Sequence, residues 1–224
     1  MRSFNVDFYK GHPIIMDGEN EILIDTGSPS TIHSFSSLDF CSENYKTTTN
    51  YHGIGISEIS EMLGKEITTL LGADILSDYK ILFDYRNKLV EFHKQAFNFE
   101  GNEIGITGFM GIPIVELSID GRNLKFFLDT GARLSYLSDR ITSNYTSIGS
   151  DEDFYPGIGK FETDCFEIET KLDGNSFTAK YGNLPIPLQM TLMLGGADGI
   201  IGFDLFDNFK ILLDLKSHRL RYKR

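Results

Sequence analysis

The tripeptide Asp-Thr-Gly occurs twice in this chain, as Asp25-Thr26-Gly27 in ILIDTGSPSTI and as Asp129-Thr130-Gly131 in FFLDTGARLSYL, 104 residues apart. Each copy follows an apolar, strand-like run and precedes a small residue, Ser28 or Ala132. Glycine admits positive φ and leaves room for another backbone to approach. An aspartate before such a turn can accept N–H hydrogen bonds, which lowers the cost of holding a carboxylate indoors. Threonine adds a stiff side chain whose hydroxyl can pin the loop from behind. Two such loops facing each other bring two carboxylates together. Like charges that close do not both ionise easily, so the pair keeps one proton. One member is then a base, the other an acid, and a water between them becomes a nucleophile.

Further matches follow in the same order. Tyr51-His52-Gly53-Ile54-Gly55 corresponds to Tyr155-Pro156-Gly157-Ile158-Gly159, again 104 residues on. The segment from Leu70 to Phe92 corresponds to that from Ile200 to Tyr222, aligning Gly72 with Gly202, Asp74 with Asp204 and Asp84 with Asp214. The offset there is 130, so the second half carries 26 extra residues between its GIG and its IIG. Ordered, unpermuted repeats indicate duplication and fusion, and two units suit a two-lobed globule better than a solenoid.

Short apolar runs ending in turn chemistry, with Asp-Gly at 17–18, 120–121 and 173–174, predict hairpins and a mainly β chain. The expected fold is all-β: two similar barrel-like lobes about a pseudo-twofold axis, residues 1–97 and 98–224. Short helices are expected at Ala73–Tyr79 and Phe203–Phe209, and after each DTG turn near Ser34–Phe40 and Leu137–Tyr145.

The net charge of −11 disfavours nucleic acid as a partner. No run reaches the ~18 apolar residues of a membrane span. The start, MRSFNVDFYKGHP, lacks an apolar leader core, and a cytoplasmic location is expected. Cys41 and Cys165 belong to no metal or CxxC pattern and are expected as free thiols. The five histidines show no metal-ligand spacing, and only His52 adjoins a candidate site. No metal and no cofactor are expected.

ILIDTGS and FFLDTGA, followed by LLGADIL and GGADGIIGFDLF, resemble the aspartic peptidases of the pepsin and retropepsin group, among them compact bacterial retropepsin-like peptidases. The resemblance covers most of both halves. It implies the acid protease fold, with Asp25 and Asp129 as the catalytic dyad. It also implies Thr26 and Thr130 gripping across the lobes beneath the dyad, and Gly27 and Gly131 on the floor, with Ser28 and Ala132 completing the loops. It further implies endopeptidase activity on an extended peptide or protein substrate, through a water held by both carboxylates. One chain supplies both, so a monomer is expected. The contrasting reading is an inactive peptide-binding or scaffold module on the same fold.

FYPGIGKF resembles a retropepsin flap tip, which assigns Tyr155, Gly157, Ile158 and Gly159 to substrate covering. The first half is too short between Gly55 and Leu70 for the same hairpin at ~3.3 Å per residue. A single working flap on the second lobe is therefore expected, with Tyr51 a vestige. Arg133 and Pro29 stand where viral members commonly place an acidic residue, so subsites should differ. Ser28 is expected to donate its hydroxyl to Asp25, and Ala132 has none to give. That would leave the shared proton on Asp129.

Overall fold

A computed structural model describes residues 1–155 and 158–224. The described residues form three large sheets and two two-stranded ones. In the first half, strands Asp7–Tyr9, His12–Asp17, Asn20–Ile24, Thr69–Leu71 and Ile32–His33 form a five-stranded sheet in that order. In the second half, Thr107–Phe109, Ile112–Ile119, Arg122–Leu128, Gly199–Ile201 and Ser135–Leu137 repeat the same order. Three more strands extend that sheet to eight: Asn175–Asn183, Gly159–Leu172 and Gly149–Tyr155. Most of the 26 extra residues lie here and in helix Ile186–Gly195.

The third sheet joins the halves. Its six strands run Arg2–Asn5, Leu89–His93, Lys80–Asp84, Lys210–Asp214, Arg219–Lys223 and Asn102–Gly105, a palindrome of the repeat. The central pair is antiparallel, with Leu82 facing Leu212, so the pseudo-twofold axis passes between them. Two reciprocal ion pairs flank the axis: Lys80 with Asp214, and Lys210 with Asp84 at 2.6 Å. Asp84 and Asp214 thus close the lobe interface as well as ending their strands.

Beneath this sheet one apolar core is shared by both halves. Phe83 and Phe206 meet edge to face at 4.9 Å, and Phe8 meets Phe203 at 5.4 Å. Edge-to-face packing suits rings whose faces are negative and edges positive. These rings bridge the halves, whereas Phe4, Phe40 and Phe92 pack together within the first half and Phe177 meets Phe209 within the second. Cys41 and Cys165 are free thiols. Among the described residues no helix is long and apolar enough to cross a membrane.

Several expected helices are altered. Ala73–Leu76 and Phe203–Asn208 are helical, close to the expectation. The helix expected over 137–145 is confined to Asp139–Thr142, because Ser135–Leu137 is held as a strand between two neighbours. Ser34–Phe40 is no helix. Ser37–Phe40 is a strand that alternates exposed and buried residues, placing Leu38 and Phe40 in the core.

Candidate active site

Each DTG loop leaves a strand in the middle of its sheet. Asn20–Ile24 lies parallel to Thr69–Leu71, and the Asp25 N–H continues the ladder to Leu71 O at 3.0 Å. Arg122–Leu128 lies parallel to Gly199–Ile201, and the Asp129 N–H reaches Ile201 O at 3.0 Å. Gly72 and Gly202 pack behind these loops. A Cβ on Gly72 would overlap the Ser30 carbonyl, and one on Gly202 the Ala132 carbonyl. The Gly72 N–H donates to Thr31 Oγ1 at 2.9 Å and the Gly202 N–H to Ser135 Oγ at 3.2 Å.

The two loops cross-link through their threonines. Thr26 N–H donates to Thr130 Oγ1 at 3.0 Å, and Thr130 N–H donates to Thr26 Oγ1 at 3.0 Å. The hydroxyls pass on to opposite strands, Thr26 to Leu128 O at 2.6 Å and Thr130 to Ile24 O at 2.8 Å. Both threonines are fully buried, so each bond satisfies groups that water does not reach.

Above this grip the carboxyl groups of Asp25 and Asp129 meet within hydrogen-bonding reach. The glycines make the approach possible. A Cβ on Gly27 would run into the Asp129 carboxyl, and one on Gly131 into the Asp25 carboxyl. Asp25 Oδ1 accepts from Gly27 N–H at 2.9 Å. Asp129 Oδ1 accepts from Gly131 N–H at 2.8 Å and from Ala132 N–H at 3.1 Å.

Burial pushes the Asp25 carboxyl well above the usual carboxylate range, with the negative charge of Asp129 next in importance. Burial also raises Asp129, but the Asp25 hydrogen bond and the Gly131 and Ala132 N–H groups pull it back. The two carboxyls therefore titrate as one coupled pair that holds a single proton. The Ser28 hydroxyl donates to Ser30 O at 2.9 Å, not to the Asp25 carboxylate. The Ser28 N–H nevertheless acts on the Asp25 carboxyl as the Ala132 N–H does on Asp129, so each carboxyl faces two backbone donors of its own loop.

The hairpin of the second lobe reaches this centre. Gly149–Tyr155 pairs with Gly159–Leu172, Tyr155 facing Gly159, and the Ile158 N–H closes the turn on Tyr155 O at 3.0 Å. Tyr155 lines the cleft on both sides of the dyad. Burial, then the charges of Asp129 and Asp25, push its phenol up to about 12. Ile158 is exposed at the tip, and Gly157 lies outside the described residues. The first lobe has only a stub, Asn50–Tyr51 with Ile54–Gly55, running into helix Ile56–Leu63. Tyr51 and His52 line one side of the cleft with Asp25 and Tyr155.

Sequence reasoning missed the groups at the foot of the hairpin. Arg133 pairs with Asp151 at 3.0 Å and Asp153 at 3.5 Å, and the Tyr136 hydroxyl donates to Asp153. The Arg133 guanidinium pulls Asp151 down to about 2. His12, buried on the first lobe, sets Nδ1 2.7 Å from Gly131 O. A signal for His12 was present: Tyr9-Lys10-Gly11-His12-Pro13-Ile14 matches Phe109-Met110-Gly111-Ile112-Pro113-Ile114.

No protein-family model matches the chain, and no curated protein matches it. Among solved structures it is similar to a retropepsin-like aspartic protease from Rickettsia conorii, at 16% identity and a TM-score of 0.40, over 55% of this chain and 91% of that one. It is also similar to the Simian Foamy Virus (mac) protease, at 18% identity and a TM-score of 0.28, over 36% of this chain and 94% of that one. A foamy viral protease-reverse transcriptase in complex with RNA/DNA hybrid matches at 16% identity and a TM-score of 0.32, over 40% of this chain. This chain spans 10% of that protein's length.

Proposed function

We propose that the chain is an aspartic endopeptidase, its lobes dividing near residues 97 and 98. The reading rests on the meeting of Asp25 and Asp129 at the pseudo-twofold axis, held by the crossed Thr26 and Thr130 bonds. A buried pair of like carboxyls is costly for a scaffold with no use for it. It suits a site that holds one proton between an acid and a base.

In this mechanism a water lies between the two carboxyls. Asp129, the ionised member, takes a proton from the water as its oxygen attacks the scissile carbonyl carbon. Asp25 gives its proton to the carbonyl oxygen, forming a tetrahedral diol. On collapse Asp129 returns a proton to the departing nitrogen, the C–N bond breaks, and Asp25 recovers its proton from a diol hydroxyl. No covalent intermediate forms. Tyr155 covers the reacting atoms, and water exclusion strengthens every electrostatic contact beneath it.

The substrate is a polypeptide lying extended between the lobes, adding a strand to the hairpin edge. The cleft walls Leu23, Ile59, Leu70, Leu188 and Ile200 favour apolar side chains beside the cut bond. One chain carries both carboxylates, so the monomer is sufficient.

The test is cleavage of a diverse peptide library, from acidic to neutral pH, by wild type and Asp25→Asn, with and without a statine-type inhibitor. Cutting by wild type alone, blocked by the inhibitor, is expected. Peptide binding without cutting would select the peptide-binding module.

A further inference from the structure

His12 lies on the first lobe but touches the catalytic loop of the second. Its ring is 4% exposed, and Nδ1 stands 2.7 Å from the Gly131 carbonyl oxygen. A carbonyl oxygen only accepts, so Nδ1 carries the hydrogen and donates it. The acceptor belongs to the planar peptide unit whose other end is the Ala132 N–H. That N–H donates to Asp129 Oδ1 at 3.1 Å. His12 therefore grips one end of a rigid peptide whose other end solvates a carboxylate. A hydrogen bond accepted at the carbonyl also polarises the N–H of the same unit and strengthens its donation.

The other lobe lacks this device. Its matching turn has the same backbone: Lys10 and Gly11 have φ of 50° and 89°, Met110 and Gly111 have 52° and 85°. The residue that follows is Ile112, which has no side-chain donor, and it packs against an apolar cluster instead. His12 thus gives the Asp129 loop a clamp that Ile112 does not give the Asp25 loop. His12 also lies against the hairpin, its ring centroid 5.6 Å from that of Phe154.

We propose that His12 is a positioning residue: it fixes the 131–132 peptide and, through it, the Ala132 N–H that donates to the Asp129 carboxyl. This deepens the aspartic peptidase reading and rests on it. The charged groups facing the ring are Asp153, Arg133 and Lys10.

Three variants test it. His12→Ile copies Ile112 and removes the donor. His12→Asn places an amide donor near the position of Nδ1. His12→Gln carries its donor one carbon too far. Misplacing the base is expected to lower kcat about tenfold or more in His12→Ile and His12→Gln. KM should stay within about twofold, since the loss falls on the transition state. His12→Asn should recover most of the rate. Carbon-13 NMR of the aspartate carboxyls gives a second readout that needs no turnover. The Asp129 titration should move upward in the Ile and Gln variants and stay near wild type in the Asn variant. Wild-type kcat and an unmoved Asp129 titration in His12→Ile would overturn the proposal. So would equal losses in Asn and Gln, a comparison that stands if the Ile variant does not fold. A wild-type protein that cuts no peptide would instead sink the peptidase reading, and the carboxyl titrations would still decide the role of His12.

Discussion

The two lobes are alike where they meet and unlike where they face substrate. Around the axis each feature has its twin: the crossed threonines, the Gly72 and Gly202 packing, the Lys80–Asp214 and Lys210–Asp84 pairs. Away from the axis the first lobe offers a two-residue stub and helix Ile56–Leu63, while the second offers a long meander and helix Ile186–Gly195. The contrast has a physical cause. Two carboxylates meet only if both loops keep one geometry, so neither copy is free to drift. Only one hairpin is needed above the cleft, so the other could shorten. Symmetry therefore marks what builds the dyad, and asymmetry marks what distinguishes its two members.

The glycines give the largest test of that symmetry. Gly27→Ala and Gly131→Ala each drive a methyl group into the opposite carboxyl. Each is expected to lower kcat/KM by more than about 100-fold, measured on one peptide, because the dyad is displaced. A large loss in only one variant would break the equivalence of the two loops.

Arg133 tests the asymmetric side. Arg133→Met leaves Asp153 with the Tyr136 hydroxyl and the Phe154 N–H but no cation, and about 1–3 kcal/mol of stability is expected to go, read from urea unfolding. The same variant has a pH signature. Asp151 is held at about 2 in the folded wild type and lies at the usual carboxylate value when unfolded. Its contribution is present above pH ~4 and is lost as pH falls toward about 2. Arg133→Met should flatten that window. Pro29, the matching position of the first lobe, makes no such ion pair, so Pro29→Ala should leave the acid limb unchanged.

His12 and Ile112 differ in their response to acid. Burial lowers the His12 pKa below its ordinary 6.5. Folding therefore opposes protonation, and this stability is present above pH ~6.5 and is lost as pH falls below it. Comparing unfolding midpoints at neutral and mildly acidic pH, His12→Ile should lose less stability on acidification than wild type. An identical acid loss in both would assign the drop to other groups.

Tyr85 gives the smallest expected effect. Its repeat counterpart is Leu215, and its buried hydroxyl has no hydrogen-bond partner among the described residues. Burial holds that phenol well above its usual range. Tyr85→Phe removes the orphan group and is expected to raise thermal stability by up to about 1 kcal/mol. A fall in Tm would mean that the hydroxyl has a partner in solution.

Much of this was legible from residue types with narrow uses. Asp-Thr-Gly, the Gly-x-Asp segments and the Asp-Gly turns each demand particular backbone geometry, so finding them twice and in order predicted the two lobes. Regions governed by tertiary packing were harder. Ser37–Phe40 reads as polar and ambiguous, and pairing with Glu43–Lys46 makes it a strand. Helix Ile56–Leu63 buries only Ile56, Ile59 and Leu63, a short stripe easily lost beside the nearby turn. Helix Ile186–Gly195 is apolar nearly all round, so it shows no periodicity at all. His12 was passed over because the match of residues 9–14 with 109–114 marks only its turn, and its partner is a main-chain carbonyl 119 residues away. The Ser28 expectation failed for a related reason: its hydroxyl found a nearer acceptor in Ser30 O.

The most direct measurement is a pH titration of the Asp25 and Asp129 carboxyl carbons by NMR in the unmodified protein. The account predicts coupled curves, with one proton of the pair retained through and above the ordinary carboxylate range. Two independent curves, each near the value of a free aspartate, would contradict it.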